Sequence, residues 1–508
     1  MSTAIENALS PWDAHNQQLA AHVHPADWQN PTPADRYHLV VIGAGTAGLV
    51  TAAGAAGLGA KVALVEKHLM GGDCLNVGCV PSKALLRAAH AVHQVQHAKE
   101  FGVLVSGEPT VDFAGVMERV RRVRSGISHH DSAQRFRDLG VDVFLGEAKF
   151  TTADTVAVGG QMLRFKNAVI TTGARAAVPE IPGLKEAGFL TNETVFNLTE
   201  LPRRLVVLGG GPIGCELAQA FQRLGSQVTL LQRHTRLLPH DDEAAAAIVQ
   251  AALLLAGVQV VPEATVQQVE RTDTGKRLTY LHAGKTSSVE ADAILVATGR
   301  QPNVLGLGLE TVNVAYDARQ GVQVNDFLQT TNPRIYAAGD VCLPDKFTHA
   351  ADFAARIVIQ NALFLGRKRL SALTIPHCTY TGPELAQVGL TELAAKQRGL
   401  RARTFTQSFA SLDRALTDGA TQGFVKIIIA NNSDQILGAT IVGPHAGELI
   451  SEISVAMAGN VGLGQLASVI HPYPTLAEAI RKCGDAYNRT RLTPTVKSLF
   501  QKWLTWTR

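Results

Sequence analysis

The chain has 508 residues, 46% of them hydrophobic and 18% charged, with 46 glycines, a composition that excludes disordered, collagen-like and coiled-coil chains and, at roughly 100 to 200 residues per domain, predicts three or four domains. Lys plus Arg number 47 against 43 Asp plus Glu, a net charge of +4 that is too small for this length to argue for nucleic acid or an anionic membrane. Six cysteines cannot form a secreted disulfide framework, and no basic segment followed by an apolar run opens the sequence, so a cytoplasmic setting is expected.

Residues 1–37 carry Pro11, Pro25, Pro31 and Pro33 and show no clear period, so they read as an irregular arm. Leu39 to Ala60 is then a run of 22 residues without a charge, long enough to cross roughly 30 Å of hydrocarbon as a helix. Its six glycines, each costing about 1 kcal/mol in a helix, argue otherwise. An apolar run, clustered glycines and an alanine-rich segment, in that order, predict strand, tight turn and helix.

The pattern occurs twice. LVVIGAGTAGLVTAAGAAGLGAKVALVEK (Leu39 to Lys67) aligns without a gap, at a constant offset of 166, with LVVLGGGPIGCELAQAFQRLGSQVTLLQR (Leu205 to Arg233). Each copy is a βαβ unit with a G-x-G-x-x-G turn, Gly43, Gly45 and Gly48 in the first and Gly209, Gly211 and Gly214 in the second. The glycines permit a tight turn, close approach to a pyrophosphate and close helix packing, so two dinucleotides are expected. The second strand of the first copy ends in Glu66, suited to the hydroxyls of an unphosphorylated ribose. The second copy has Gln232, then Arg233, His234 and Arg236, which removes the repelling carboxylate and adds cations for a 2′-phosphate, so NADPH is expected there and NADH is the alternative.

Directly after the first unit comes GGDCLNVGCVPSK, with Cys74 and Cys79 five residues apart. No C-x-x-C pair and no second cysteine pair complete a zinc site, so a redox or catalytic role is the stronger reading. Ala84 to Gln96 is helical in pattern, which puts Cys79 near a helix N-terminus with Lys83 one turn on, and both features favour a thiolate. His90, His93 and His97 share a face of that helix, but the first and last lie too far apart for one ion. Met117 to Arg124, with four arginines, reads as a solvated helix face.

Ala168 to Gly173, Ala293 to Arg300 and Arg334 to Asp340 are strand-plus-turn segments typical of dinucleotide domains. From Ile375 onward the texture becomes alternating, with strands at Phe424 to Ile429 and Ile436 to Val442, helices at Glu448 to Met457 and Tyr473 to Cys483, and a separate C-terminal domain. Cys342, Cys378 and Cys483 read as packing residues. Trp503 and Trp506 in the tail read as docking on the fold rather than on a membrane surface.

GGDCLNVGCVPSK, the two dinucleotide units, AAGD and HPYPTLAE occur in the order found in the FAD-dependent pyridine nucleotide-disulfide oxidoreductases, and the chain resembles that family from about residue 38 to 485. The resemblance implies an α/β protein with two Rossmann-type dinucleotide-binding domains, glutathione reductase-like, plus a C-terminal α+β dimerisation domain. It places the arm at 1–37, an FAD-binding domain at 38–180 and 300–370, an NADPH-binding domain at 181–299, the interface domain at 371–490 and the tail at 491–508. FAD falls to Gly43, Gly45, Gly48, Glu66, Gly72, Thr172, Gly173, Gly339 and Asp340. NADPH falls to Gly209, Gly211, Gly214, Gln232, Arg233, Arg236 and Gly299. The family pattern makes Cys79 the sulfur against the flavin, Cys74 the interchange thiol, Lys83 and Glu216 a pair near the flavin, and the protein a homodimer whose site is completed by the partner, with no nucleic acid and no integral membrane segment.

In disulfide reductases a His followed five residues later by Glu shuttles the thiol proton. This chain has Tyr473 and Glu478 at those places. Tyrosine titrates about 3.5 units above histidine, roughly 5 kcal/mol against forming the base at neutral pH. Tyrosine here is similar to mercuric reductases, which points to Hg(II) or another thiol-bound soft metal ion as electron acceptor, held by Cys74 and Cys79. The vicinal cysteine pair usual at the end of those enzymes is missing from LFQKWLTWTR. His471, two residues before Tyr473, is a candidate replacement for the proton role, though a structural histidine is the stronger reading. Two alternatives stand: reduction of a small disulfide, as in dihydrolipoamide dehydrogenase or glutathione reductase, and a flavoprotein component of a larger complex.

Overall fold

In the computed structural model, which describes residues 2–107, 109–364 and 366–508, the chain forms two units. One comprises Met1–Gly210, Ala220–Leu231 and Ala264–Leu373, and the other Gly211–Gln219, Gln232–Glu263 and Thr374–Arg508.

In the first unit the strands are β1 (Tyr37–Ile42), β2 (Val62–Glu66), β3 (Asp142–Leu145), β4 (Ala148–Thr152), β5 (Thr155–Val158) and β6 (Gln161–Ile170). Leu39, Val40, Val41 and Ile42 are all buried, the continuous apolar pattern of a strand covered on both faces. β1 lies between β2 and β6 and parallel to both, β3 extends the sheet beyond β2, and Ile335–Ala337 pairs in parallel with the end of β6. β4 and β5 continue from β6 as an antiparallel ribbon. The uncharged run after Leu39 therefore divides into β1, a glycine turn and a helix at Thr46–Gly57, as its glycines predict. The second copy does the same: Arg204–Leu208 lies parallel between Gln227–Leu231 and Ala293–Val296, with the helix Pro212–Leu224 between the first two strands in sequence. A three-stranded antiparallel sheet, Thr265–Thr272, Gly275–His282 and Lys285–Ala291, precedes that last strand. The core behind β1 and β6 is built from Tyr37, Phe144, Phe150, Phe165 and aliphatic side chains.

Residues 1–37 are not irregular: they hold α1 (Ser2–Ala8) and α2 (Ala14–Val23), followed in the chain by α3 (Thr46–Gly57), α4 (Gly72–Asn76), α5 (Cys79–Gln96) and α6 (Phe113–Ile127). The prolines that suggested irregularity flank α2 rather than interrupt it, and Asp13 caps it by accepting the Asn16 backbone N–H at 2.9 Å. Leu19 and Val23 bury on the inner face of α2.

The second unit centres on an antiparallel sheet in the order Pro376–Thr379, Glu384–Gly389, Ile436–Gly443, Phe424–Ala430, Ala402–Ser408. Helices Ala446–Ala458 and Glu478–Thr490 cover it over a core that includes Ile427, Ile441, Ile453 and Ile480. The helix expected over Tyr473 to Cys483 starts only at Glu478, because Pro472 and Pro474 hold the preceding residues out of helical geometry. Among the described residues no helix is long and apolar enough to cross a membrane.

Candidate active site

Cys74 lies in the middle of α4 and Cys79 is the first residue of α5. The helical turn over Pro81 extends α5 five residues beyond the predicted start at Ala84, since a proline in the first turn has no intrahelical acceptor to lose. Neither sulfur is in a disulfide. Cys74 shares a hydrogen bond with Cys79, and this bond, reinforced by burial, raises the Cys74 thiol well above its ordinary value. Cys79 is exposed at a helix N-terminus, with Thr348 Oγ1 3.3 Å from its Sγ. A helix N-terminus favours negative charge on Cys79. Lys83 lies one turn further along α5.

Around α4 the structure reveals supports that sequence reasoning missed. Arg300 donates to Asp73, the neighbour of Cys74, and to Ala174 O at 2.8 Å, and its Nε lies 3.2 Å from the Asp340 carboxylate. From the other side, Arg124 donates to Asn76 O at 2.7 Å and to Asn16 Oδ1 at 2.5 Å, while Asn76 Nδ2 donates to Met70 O and Gly72 O. Asn16, Asn76 and Arg124 are each 3% exposed or less. Arg121, beside them, pairs with Asp13 at 2.5 Å. The four-arginine segment is therefore not a solvated face. Met117, Val120, Arg121 and Arg124 follow the i, i+3, i+4, i+7 spacing of a buried helix face, and that spacing is the signal by which the sequence could have shown it. Burial, with Arg121 next to it, brings the Arg124 guanidinium down to about 10, still a cation at neutral pH.

The nucleotide turns repeat in three dimensions as they do in sequence. Gly43 and Gly209 take φ of +104° and +105°, and a Cβ on either would lie 2.5 Å from a carbonyl, Thr171 O and Ala297 O respectively. A Cβ on Gly48 would strike Gly43 O at 1.8 Å, and one on Gly72 would lie 2.6 Å from Gly45 Cα. The N-terminus of α3, with Gly45 at its N-cap, has no side-chain cap, so no side chain competes for its first backbone N–H groups. That arrangement fits a pyrophosphate. Glu66 is half-buried, and the loss of solvent raises its carboxyl; it accepts the backbone N–H groups of Ala44 at 2.7 Å and His68 at 2.8 Å. Thr172 and Asn303 exchange hydrogen bonds of 2.7 and 2.9 Å, Gly173 adopts φ +66°, and Gly339 brings its backbone against Ala47.

At the second turn Gly211 has open space where a Cβ would stand, and Gly214 is buried. Gly299 O accepts from Ala177 N at 2.9 Å. Glu216 is buried and its Oε1 accepts the Tyr380 backbone N–H at 2.9 Å. Gln232 is buried, with Nε2 donating to Arg236 O at 3.1 Å. Arg236 departs from expectation: its guanidinium donates to Leu238 O, Pro239 O and Asp241 O at 2.7 to 3.0 Å, closing its own loop. Arg233 is an exposed cation at this turn, and His234 is exposed beside it.

In the second unit Tyr473 is 71% exposed and its hydroxyl donates to the Asp413 carboxylate, which raises the phenol further above its ordinary value. His471 is tied into the fold. Its ring is buried, with Nδ1 3.0 Å from Val469 O and Nε2 2.9 Å from Glu452 Oε1, so both nitrogens are committed to the fold. Glu478 opens the next helix and pairs with Arg481 at 2.9 Å. His471, Tyr473 and Glu478 border one cleft of about 370 Å³, next to Ile470, which is 95% exposed.

A second cavity of about 180 Å³, in the first unit, opens onto Cys74 between Leu49, Val50, Val80 and Ile127, with Asp131 as its one carboxylate. Burial raises the Asp131 carboxyl. Of the helix histidines, His93 and His97 lie with ring centroids 4.0 Å apart and tilted by 51°, and His93 is pulled down to about 4 by burial and by Arg223. Cys483 is buried, and Cys342 and Cys378 are half-buried.

Two glycine-turn nucleotide units and a helix-borne dithiol define a nicotinamide-linked redox enzyme that works through a pair of sulfurs. The chain belongs to the pyridine nucleotide-disulphide oxidoreductase family: it matches that family over residues 37–388 and the family's dimerisation domain over 375–483. Members use FAD and NAD(P)H, and this chain is a flavin-dependent enzyme of that type. It is 35% identical over 488 residues to a mercuric reductase of Lysinibacillus sphaericus, covering 96% of this chain and 89% of that one. It is 36% identical over 455 residues to a dihydrolipoyl dehydrogenase of Geobacillus stearothermophilus, covering 88% and 95%. Among solved structures it is similar to the Cu(II) complex of the HOCl-induced flavoprotein disulfide reductase RclA from Escherichia coli, with TM-score 0.80 and 28% identity over 89% of this chain and 100% of that one.

Proposed function

We propose that this chain passes two electrons from NADPH to Hg(II) or another thiol-bound soft metal ion at Cys74 and Cys79. It does so as a cytoplasmic homodimer in which the Tyr473 and Glu478 segment of the partner subunit completes each site. The observation that carries the reading is Tyr473. Mercuric reductases and dihydrolipoyl dehydrogenases match this chain equally well, at 35% and 36% identity, so overall likeness does not separate them. A tyrosine whose proton is held by Asp413 is unsuited to take a proton from a substrate thiol, a step that disulfide reduction needs and reduction of a metal ion does not.

FAD, when bound at Gly43, Gly45, Gly48, Glu66, Gly72, Thr172, Gly173, Gly339 and Asp340, supplies two-electron chemistry between nicotinamide and dithiol. NADPH is the preferred donor because Gln232 carries no charge to repel a 2′-phosphate and Arg233 is exposed to bind one. Cys79 offers a thiolate at a helix N-terminus, and Cys74 gives up its proton as it binds the ion, with Asp131 lining the same cavity. NADPH yields NADP⁺, a proton and two electrons, and Hg(II) takes both electrons to become Hg(0), so the reaction closes without another reductant. Asp131 also favours a second reading, reduction of a small disulfide, because a carboxyl raised by burial next to Cys74 supplies a proton site within one protomer. The apolar walls and lone carboxylate suit an uncharged disulfide such as lipoamide better than glutathione disulfide, whose carboxylates would find no cation there.

The test is steady-state NADPH oxidation by the purified protein with Hg(II) in excess thiol, beside lipoamide and glutathione disulfide, with Cys74→Ser as control. Metal-dependent turnover that falls to background in Cys74→Ser supports the proposal. Turnover with a disulfide alone overturns it in favour of the second reading.

A further inference from the structure

Pro494–Trp506 is a helix of 13 residues with no buried side chain. On a wheel of about 100° per residue, Val496, Leu499, Phe500, Trp503, Leu504 and Trp506 fall within an arc of about 160°. Lys497 borders that arc on one side and Lys502 on the other, while Ser498, Gln501 and Thr505 occupy the remaining face. The stripe lies open to solvent: Leu499 is 65% exposed, Trp503 60% and Trp506 77%. The expectation that the two tryptophans dock on the fold is therefore not met.

Charge identifies what the stripe meets. Arg489, Arg491, Lys497, Lys502 and Arg508 follow Asp485, with no Asp or Glu among them, so these 23 residues carry +5 while the rest of the chain nets −1. Among the described residues none of the five forms an ion pair. The segment lies beyond the family's dimerisation domain, which ends at 483.

We propose that this helix binds an anionic lipid surface, lying in the headgroup plane with its aromatic stripe in the acyl boundary and its lysines reaching back to the phosphates. An apolar stripe flanked by cations, with tryptophans at its centre and edge, is the pattern of an interfacial helix. A nucleic acid would pair with the cations and leave the stripe in water. Two copies of the helix packed stripe to stripe would bring their flanking lysines together with no carboxylate between them. In the homodimer two such helices act on one membrane, so weak individual affinities multiply.

The test is co-sedimentation of the FAD-loaded, full-length protein with vesicles of phosphatidylcholine alone or mixed with phosphatidylglycerol. The proposal predicts binding to the anionic vesicles about tenfold or more above the neutral ones, weakening as salt screens the cations. Trp503→Ser with Trp506→Ser, and separately Lys497→Glu with Lys502→Glu, should each lower that binding about tenfold or more while NADPH-driven turnover stays unchanged. Equal recovery with and without vesicles overturns the proposal, and so does full binding by either double variant. If the tryptophan variant instead converts dimer to protomer in sedimentation equilibrium, the stripe belongs to a second copy and the lipid proposal fails.

Discussion

The segments on either side of the family match, residues 1–36 and those after 483, are built on opposite terms. The N-terminal segment, rich in prolines and without a period, forms α2 and buries Asn16, Leu19 and Val23. Its polar groups reach two inward arginines, and through Arg124 they reach the last residue of the helix that carries Cys74. The C-terminal helix Pro494–Trp506 has the stronger helical pattern and buries nothing. Local regularity therefore says little about whether an added segment belongs to the scaffold. What decides it is whether buried polar groups depend on the segment for their partners, because a buried charge left without one is costly.

Breaking the N-terminal half of the contrast should give the largest effect. Asn16→Leu leaves the Arg124 guanidinium buried without its side-chain acceptor, and we expect a loss of about 3 kcal/mol in urea unfolding. Reduction of the Cys74 and Cys79 disulfide by NADPH should slow about tenfold in the same variant, since a displaced Asn76 shifts α4. Unchanged stability would mean that the arm only covers the surface.

Acid offers a gentler probe of the same anchor. Burial pushes the Asp13 carboxyl up, but the Asn16 N–H and Arg121 outweigh it and hold it below the usual carboxylate value. A depressed carboxyl contributes stability that is present above its unfolded pKa of about 3.9 and is lost as pH falls through the folded value. Proteolysis of the arm should therefore accelerate below about pH 4 in the native protein, and Asp13→Asn should be cleaved at the same rate on both sides of that pH. The smallest effect should come from the other end: removing residues 492–508 should change unfolding stability by less than about 0.5 kcal/mol, as for surface changes that touch no core.

Much of the catalytic framework was legible because it rests on backbone demands. Gly43 and Gly209 must take positive φ beside a carbonyl, only glycine satisfies this without strain, and so the fingerprints survive as sequence. Cys79 at a helix start followed from the pattern downstream, although α5 begins earlier than its periodicity suggests. What stayed hidden depends on long-range pairing. Nothing near Arg124 in sequence announces Asn16 or Asn76, and nothing near Asp73 announces Arg300. The cationic turn after Gln232 misled in part, because Arg236 meets carbonyls of its own loop, contacts that composition cannot foretell. His471 lay within two residues of the expected base position, yet Glu452 holds it in the fold.

The most direct test of the central claim is the ratio of Hg(II)-dependent to lipoamide-dependent NADPH oxidation in Tyr473→His against the native protein. If tyrosine sets the acceptor, the histidine variant should gain disulfide turnover by about a hundredfold, the scale of a restored general base, and lose metal turnover. A ratio that does not move would contradict the account, because the residue that distinguishes the two chemistries would then act at neither.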